Sequence, residues 1–243
     1  MYLIDQLTVV IVTYKTNEQI LDQCIKSILG KAKILVVENS TNQEFKLSYE
    51  EKYPNLEVVL TGSNLGYGAG NNKGISLVKT KYVLISNPDV IYEDDFFSNL
   101  KKYIDENIEF DIIGPVYRSN DYASHGYFDD LKNNNDEKNT LNNQNLIKTH
   151  WIVGCTMFIN LKKFENKKLF DENFFLFFEE FDLCRRVLKK GGKIYASNKL
   201  YVKHLGHKGS AAVDPKYEKE SKFLRSWHWM WSSFYYYEKN FSY

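Results

Sequence analysis

The chain lacks an excess of charge of either sign. Its 243 residues include 32 lysines and arginines against 31 acidic residues, which leaves a formal net charge of +1. Proteins that bind nucleic acid across a broad surface usually carry a strong positive field. The balance therefore argues against nucleic acid as a partner, and any anionic ligand must be met by local groups.

Cysteine is scarce, and long apolar runs are missing. The three cysteines, Cys24, Cys155 and Cys184, are far apart and have apolar neighbours. This predicts reduced, buried thiols rather than a disulfide framework or a metal cluster. Apolar runs such as residues 9–12 are far shorter than the roughly 20 residues that cross a bilayer. Residues 1–7 carry no basic segment of a signal peptide, so we expect a cytoplasmic protein.

The first half of the chain alternates between strand and helix patterns. Short β-branched, apolar runs predict buried strands, and stretches with helical spacing follow them. This order predicts an α/β fold that is doubly wound, with a mostly parallel central sheet flanked by helices. We expect Thr16 and Gln19 to form a capping box at the first helix. The predicted strands are 7–14, 33–38, 56–60, 82–86, 151–160 and 193–196, and the predicted helices are 20–28, 66–79, 93–106 and 179–190.

An asparagine-rich polar span covers residues 118–148. It has too few apolar residues to bury much surface, and we expect a long loop. A plain insertion and a flap on the acceptor side are both consistent with it.

Polar side chains follow several predicted strands. In an open parallel sheet, ligands bind beyond the carboxyl ends of the strands. Thr13 and Tyr14 follow the first strand, Glu38 the second, and Asn87 and Asp89 the fourth. A single acid after a strand is usually a turn former or a helix cap, but several at one edge favour a binding site.

The segment from Asn64 to Gly74, NLGYGAGNNKG, is rich in glycine. Glycine lets backbone N–H groups approach a ligand, and a helix N-terminus favours anions. A tight turn with close helix packing explains the glycines equally well. The segment lacks the Gly-Lys-Ser/Thr of a Walker loop.

Three carboxyl groups and two histidines are further candidates. Glu179, Glu180 and Asp182 interrupt a strongly aromatic run, where raised pKa values would suit a general base. The alternative is the acidic first turn of a helix. His204 and His207 lie in the glycine-rich segment HLGHKGS, and both a ligand role and a structural role remain open.

The C-terminal segment 223–241 is unusually aromatic. Trp227, Met230, Trp231 and Phe234 repeat at helical spacing, which predicts a helix packed on its own domain or on a dimer partner. The alternative is contact with a membrane interface, where amphipathic aromatic side chains are favoured.

Seven segments, in this order, resemble the inverting glycosyltransferase family 2, and in particular its rhamnosyltransferase-like subgroup. They are TVVIVTYKTNEQILDQCIKSI, VVENS, NLGYGAGNNKGI, ISNPDV, GCTMFINLKKF, LFDENFFLFFEEFDLCRRVLKKGGKI and HLGHKGS. The resemblance covers residues 7–210. It implies a GT-A fold over residues 1–215, followed by an aromatic helical extension over residues 216–243.

The resemblance also implies donor-binding residues. Those matching the nucleoside positions are Thr13, Tyr14 and Glu38, and those around the base, ribose and phosphates are Asn64, Gly66 and Asn72.

The remaining implied roles concern the metal and the reaction. Asn87-Pro88-Asp89 occupies the place of the family's Asp-X-Asp motif, so Asp89 would bind Mg²⁺ or Mn²⁺, with His204 completing the metal shell. Asn87 replaces the first aspartate. Glu180 matches the second acid of the pair that supplies the catalytic base, and we favour it over Glu179.

The implied activity is a single, inverting displacement that moves a sugar from a nucleotide-diphosphate donor to a hydroxyl of a glycan or lipid-linked saccharide in polysaccharide synthesis. The subgroup favours rhamnose from dTDP-rhamnose. A UDP-hexose transferase is the alternative enzyme, and a non-catalytic nucleotide-sugar-binding or interaction module is the alternative of another class. Peripheral contact with the inner face of the plasma membrane and a homodimer are two assemblies that the sequence leaves open.

Overall fold

A nine-stranded sheet forms the centre of the protein, in the order β3-β2-β1-β4-β11-β6-β12-β9-β8. The computed structural model describes residues 2–116, 124–131, 140–141, 145–206 and 218–241. The strands are β1 Leu7–Thr13, β2 Lys33–Glu38, β3 Leu56–Leu60, β4 Tyr82–Ser86, β5 Val90–Tyr92, β6 Ile112–Pro115, β7 His125–Gly126, β8 Thr140–Leu141, β9 Leu146–Lys148, β10 Trp151–Ile152, β11 Thr156–Asn160, β12 Ile194–Ser197 and β13 Val202–His204. The helices are α1 Glu18–Ile28, α2 Gln43–Lys52, α3 Tyr67–Leu77, α4 Phe96–Asp105, α5 Glu179–Lys189 and α6 Glu218–Phe241.

The sheet is mostly parallel and is covered on both faces. β1 pairs in parallel with β2 and β4, whereas β11 runs antiparallel between β4 and β6. Val9 and Ile11 belong to one core cluster with residues of α1 and α4, and Val10 and Val12 belong to the other with residues of α3 and α5. Because both faces are buried, β1 is apolar at four consecutive positions, residues 9–12, rather than at every second one. The predicted doubly wound α/β fold is confirmed.

The predicted capping box at α1 is wrong. The N-cap is Asn17, whose Oδ1 accepts a hydrogen bond of 3.2 Å from the Ile20 amide. Asparagine caps a helix at least as well as threonine does, and here it stands one residue closer to the helical N–H groups. Thr16 instead accepts a bond from the Tyr14 amide and closes the turn after β1.

The predicted long loop over residues 118–148 is also wrong where the structure describes it. β9 pairs with β12 in the main sheet, and β7 pairs with β10. Leu146 is fully buried, so a short apolar end of the polar span is enough to extend the sheet. The predicted strand over 151–160 is two strands, β10 and β11, separated by a turn over residues 153–155. The asparagine-rich residues 132–139 lie outside the described part of the chain.

The three cysteines are free and buried, as predicted. Burial raises the pKa of the Cys24 thiol to about 12. Among the described helices, none combines the length and the apolar character that crossing a membrane requires.

α6 is helical as predicted, but it packs through a different face. The predicted packing stripe is exposed, with relative exposures of 46% at Trp227 and 61% at Phe234. Ser232 and Tyr236 are buried instead. This face packs inward because Ser232 donates a hydrogen bond to the Leu176 carbonyl, a contact that the spacing of apolar residues does not indicate.

Candidate active site

The carboxyl ends of the central strands form one edge, as the sequence predicts. Thr13 at the end of β1 is the register partner of Glu38 at the end of β2. Because β11 runs antiparallel, its first residue, Thr156, pairs with Ser86 at the end of β4. The turn 153–155 that precedes β11 therefore lies at the same edge.

Thr13 and Glu38 are bonded to each other at this edge. The Thr13 hydroxyl donates to Glu38 Oε2 at 2.6 Å, and both residues are buried. A cavity of about 290 Å³ opens beside them and is lined by residues 14–16 and 40–42 together with Glu38. Tyr14 is one of these lining residues and is 39% exposed. Aromatic rings stack on nucleobases, so the cavity offers a ring and a carboxylate to a nucleoside.

The glycine-rich loop before α3 is held from two sides. Asn64 Oδ1 accepts a hydrogen bond of 3.1 Å from the Gly66 amide. Gly66 has a φ of +84°, and a Cβ there would lie 2.3 Å from the Phe175 carbonyl oxygen. Asn39, which directly follows β2 as the sequence shows, donates from Nδ2 to the Gly66 carbonyl at 2.9 Å, a bond that the sequence did not predict. Only glycine fits this position, because the loop passes against the backbone of another segment.

Asn72 bonds to residues 170–172. Its Nδ2 donates to the Phe170 carbonyl at 2.8 Å and to Glu172 Oε1 at 3.0 Å, and its Oδ1 accepts from the Phe170 amide at 2.9 Å. These bonds join α3 to the segment that leads into α5. The predicted role of Asn72 in donor binding stays a prediction.

Asp89 and His204 are brought together by the pairing of β5 with β13. His204 is the register partner of Val90, which follows Asp89. Asp89 is 2% exposed, and its Oδ1 lies 3.3 Å from His204 Nε2. The Asn87 amide donates to the Cys155 carbonyl at 2.8 Å and so attaches this corner to the turn 153–155.

The donor set at Asp89 and His204 fits a divalent cation. A carboxylate oxygen and an imidazole nitrogen are both common metal ligands. Among the described residues, no group of three His, Cys, Asp or Glu side chains is placed to hold a metal. Mg²⁺ commonly takes only one or two carboxylates and completes its shell with substrate phosphates and water. His207 lies outside the described residues.

Glu179 and Glu180 open α5 and differ in exposure. Glu179 is buried, and its Oε2 has no hydrogen-bond partner within the described part of the chain. Glu180 is half-buried, and its side chain lies against Gly154, where a Cβ would be 3.4 Å from Glu180 Cδ. Burial raises the pKa of both carboxyl groups, and the neighbouring charge of Glu180 raises that of Glu179 further. Glu180 is therefore the more accessible proton acceptor.

Tyr67, in the glycine-rich segment, is a residue to which the sequence assigned no role. Its hydroxyl donates to the Gly154 carbonyl at 2.5 Å, and so the start of α3 supports the turn on which Glu180 lies. Asn87 thus bonds to the turn 153–155 at Cys155, and Glu180 packs on the same turn at Gly154. Both the segment that carries the predicted metal ligand and the predicted base therefore contact this turn.

Comparison with known proteins identifies a sequence family. The profile of glycosyl transferase family 2 matches residues 8–167. A relative from Haloferax volcanii, "Low-salt glycan biosynthesis hexosyltransferase Agl10", is 26% identical over 208 residues, or 77% of this chain and 63% of its own length. The N-acetylglucosaminyl-diphospho-decaprenol L-rhamnosyltransferase of Mycobacterium tuberculosis is 23% identical over 245 residues, or 87% of this chain and 79% of its own.

A solved structure shares the fold. The crystal structure of GalNAc-T7 with UDP, GalNAc and Mn²⁺ superimposes with a TM-score of 0.67 at 13% sequence identity, covering 97% of this chain and 51% of that one. This chain therefore spans about half of GalNAc-T7 and less than two thirds of the Haloferax relative.

Proposed function

The chain belongs to glycosyl transferase family 2, and on that basis we propose that it transfers a sugar from a nucleotide-diphosphate donor to a hydroxyl of a glycan or lipid-linked saccharide. One arrangement carries the proposal. Asp89 and His204 are paired at the carboxyl edge of the sheet. Asn87, two residues before Asp89, bonds to the turn 153–155, and Glu180 packs on the same turn. A cation-binding pair and a proton acceptor are the two groups that such a transfer requires.

The donor nucleotide binds along the same edge in this proposal. The nucleoside occupies the cavity beside Tyr14 and Glu38, where the Thr13 hydroxyl fixes the orientation of the Glu38 carboxylate. The diphosphate extends past the glycine-rich loop, with Asn64 and Gly66, toward Asn87 and Asp89. The positive end of the α3 dipole, at the start of that helix, favours the negative charge of the diphosphate.

Asp89 and His204 hold Mg²⁺ or Mn²⁺ in this proposal. A divalent cation bound there supplies the positive charge that makes a nucleotide diphosphate an adequate leaving group. The GalNAc-T7 structure, which contains Mn²⁺ and UDP, supports this assignment. Asp89 is buried, so its carboxylate is held in place before the donor arrives.

Glu180 takes the proton from the acceptor hydroxyl. The oxygen then attacks the anomeric carbon while the diphosphate leaves from the opposite face, so the configuration at that carbon inverts. Burial raises the pKa of Glu180 and so makes it a stronger base than an exposed glutamate. Glu179 is enclosed against Gly68 and cannot meet the acceptor directly.

Rhamnose from dTDP-rhamnose is the first candidate donor, supported by the mycobacterial relative, which is an L-rhamnosyltransferase. A UDP-hexose is the second, because the Haloferax relative is a hexosyltransferase and GalNAc-T7 was solved with UDP.

The exposed face of α6 supports a proposal about the location of the protein and its acceptor. The stripe of Phe223, Trp227, Trp231 and Phe234 is exposed, and Lys222 and Arg225 lie among these residues. Aromatic and basic side chains together suit the surface of an anionic bilayer. We therefore propose peripheral contact with the cytoplasmic face of the plasma membrane, where a lipid-linked acceptor is found. The mycobacterial relative is named for a decaprenol-linked acceptor, which supports this location.

A thermal-shift screen tests the proposed donor. The protein is incubated with dTDP-rhamnose, UDP-glucose, UDP-galactose or UDP-GlcNAc, each with and without Mn²⁺. A true donor at about 100 times its Kd stabilises the fold by about 2.7 kcal/mol, which corresponds to a rise in Tm of roughly 5–10 °C. We expect this rise for one nucleotide class and only with Mn²⁺. No stabilisation by any donor would contradict the proposal.

A second assay distinguishes an enzyme from a binding module. The stabilising donor is incubated with the protein and a saccharide acceptor, and release of the nucleotide diphosphate is measured. Stabilisation without release would favour the non-catalytic module.

A further inference from the structure

The segment directly before the glutamate pair has an uncommon backbone. Phe177 and Phe178 have φ values of +71° and +67°, and Phe178 is the N-cap of α5 without a side-chain capping bond. Two successive non-glycine residues in the left-handed region are strained, and such a turn persists only when surrounding contacts hold it. The direction in which Glu179 and Glu180 leave this turn therefore depends on those contacts.

α6 supplies contacts to every residue from Phe174 to Phe178. The Ser232 hydroxyl donates to the Leu176 carbonyl at 2.7 Å. The ring of Phe177 has the Arg225 guanidinium 5.2 Å from its centroid. The three remaining pairs are ring contacts, with centroid distances of 4.9 Å for Phe174–Tyr235, 4.5 Å for Phe175–His228 and 5.4 Å for Phe178–Tyr236.

α6 is also attached on both sides of the turn. Lys239 lies 2.7 Å from Asp171, before the turn, and 2.7 Å from Asp182, within α5. Arg185 of α5 donates from Nε to the Tyr236 hydroxyl at 2.8 Å. A single helix therefore bridges the segment that enters the turn and the helix that leaves it.

The opposite side of the segment rests on the donor loop. The Tyr67 amide donates to the Phe175 carbonyl at 3.0 Å, and Gly66 lies in direct contact with the same carbonyl. The turn is therefore enclosed between the glycine-rich loop and α6. Loss of the α6 contacts leaves the donor loop in place but frees one side of the turn.

We propose that α6 is a positioning element for the catalytic base, and that Ser232 is its central positioning residue. By holding the Leu176 carbonyl, Ser232 keeps the left-handed turn that directs Glu180 over Gly154. The inference rests on the proposed function of Glu180 as the base. Displacement of a catalytic group by about 1 Å can lower a rate by roughly 10²-fold, so even a partial relaxation of the turn affects turnover.

A matched pair of serine variants tests this role in the full chain. Ser232→Ala removes the bond to Leu176, whereas Ser233→Ala removes only a bond to the Met230 carbonyl within α6. We expect kcat to fall by about tenfold in Ser232→Ala, with the donor Kd and the donor KM within about twofold of wild type. Ser233→Ala should retain wild-type kcat.

Arg225→Gln is a second test variant. Because Arg225 is exposed, its replacement does not disturb a buried side chain and should not impair folding. It removes the cation–π contact with Phe177, and we expect a smaller fall in kcat with the same unchanged donor affinity.

Hydrogen exchange gives a readout that does not require activity. The peptide over residues 174–182 should exchange faster in Ser232→Ala than in Ser233→Ala or wild type. Unchanged kcat and unchanged exchange in Ser232→Ala would overturn the positioning role. A fall in kcat matched by an equal loss of donor affinity would overturn it too, because α6 would then stabilise the whole site rather than the base. If the wild type transfers no sugar, the proposed function fails, while faster exchange in Ser232→Ala still supports the role of α6 in holding the turn.

Discussion

At the residue scale, two neighbouring carboxyl groups have different environments. Glu179 is enclosed, with an oxygen that lacks a hydrogen-bond partner in the described structure, and Glu180 is reachable from the edge. Burial raises the pKa of Glu179 in the folded protein above its value in the unfolded chain. Between these two pKa values the folded protein keeps a proton on Glu179 that the unfolded chain has released. The stability linked to this proton is full below the unfolded pKa and is lost as pH rises toward the folded pKa.

Glu179→Gln should therefore stabilise the protein more at pH 8 than at pH 5. Glutamine cannot ionise, so at pH 8 it avoids the cost of a buried carboxylate, and each unit by which burial raises the pKa of Glu179 corresponds to about 1.4 kcal/mol of the expected gain in the free energy of unfolding. Urea denaturation at the two pH values measures it. Glu180→Gln, at a half-buried position, is the control and should gain less. An equal effect of Glu179→Gln at both pH values would refute the pKa direction.

Asp89 and His204 give a prediction about metal. Asp89→Asn keeps the size of the side chain but removes its charge. We expect the affinity for Mn²⁺ to fall by about tenfold or more, so that Mn²⁺ no longer strengthens donor binding. Calorimetric titration of the donor with and without Mn²⁺ measures this. Asp94→Asn, at an exposed position nearby, should behave as wild type. Unchanged dependence on Mn²⁺ in Asp89→Asn would remove Asp89 from the metal site.

The positions of residues that follow strands were predictable, whereas the bonds that join distant segments were not. Thr13 and Glu38 are recognisable because an apolar run ends at each, and parallel strands bring such ends together. Asn39 bonds to a residue 27 positions away, and Tyr67 to one 87 positions away. No local pattern marks either bond, so the partners of Asn39 and Tyr67 were found only in the structure.

At the element scale, the glycine-rich loop gives a prediction with an internal control. Gly66 and Gly62 both have positive φ, but a Cβ at Gly66 would meet the Phe175 carbonyl, whereas one at Gly62 meets nothing within 4 Å. Alanine is strained at both positions, at a cost of order ~1–3 kcal/mol each. Gly66 also has a ψ of −178°, a combination essentially confined to glycine, and only Gly66→Ala adds a steric clash. We expect Gly66→Ala to unfold at a lower temperature and to bind donor more weakly than Gly62→Ala. Equal losses in both variants would contradict the close approach seen at Gly66.

The central strands were predictable as elements because their two buried faces make them continuously apolar. β2, β3 and β4 have the predicted bounds. The two errors have different causes. At α1, two neighbouring residues could cap the helix, and Asn17 does so in place of Thr16. Leu146 belongs to a strand although a polar span precedes it, because β9 pairs with β12, and the local sequence does not indicate that pairing.

At the scale of the whole molecule, the sequence identified α6 as a helix but not the face that packs. Its outward stripe is strongly apolar, while its inward face combines a serine and tyrosines that bond to polar groups of the domain. Hydrophobic spacing alone therefore assigned the wrong face to the interior.

Replacing Trp227, Trp231 and Phe234 together by serine should leave the fold intact, because all three side chains are exposed. We expect wild type to float with vesicles containing anionic phospholipid and the triple variant to remain largely unbound, since burial of aromatic surface drives interfacial binding. Equal flotation of both proteins would end the membrane proposal. Concentration-dependent dimerisation of the wild type alone, without flotation, would assign the stripe to a second copy of the chain.

The most direct test of the whole account is the turnover of Glu180→Gln in parallel with its donor affinity. Glutamine preserves the size of the side chain and its contact with Gly154 but cannot accept the acceptor proton. Loss of a general base lowers a rate by roughly 10²–10⁴-fold, and we expect a fall of that size with the donor Kd within about twofold of wild type. Turnover close to that of wild type would contradict the assignment of Glu180 as the base.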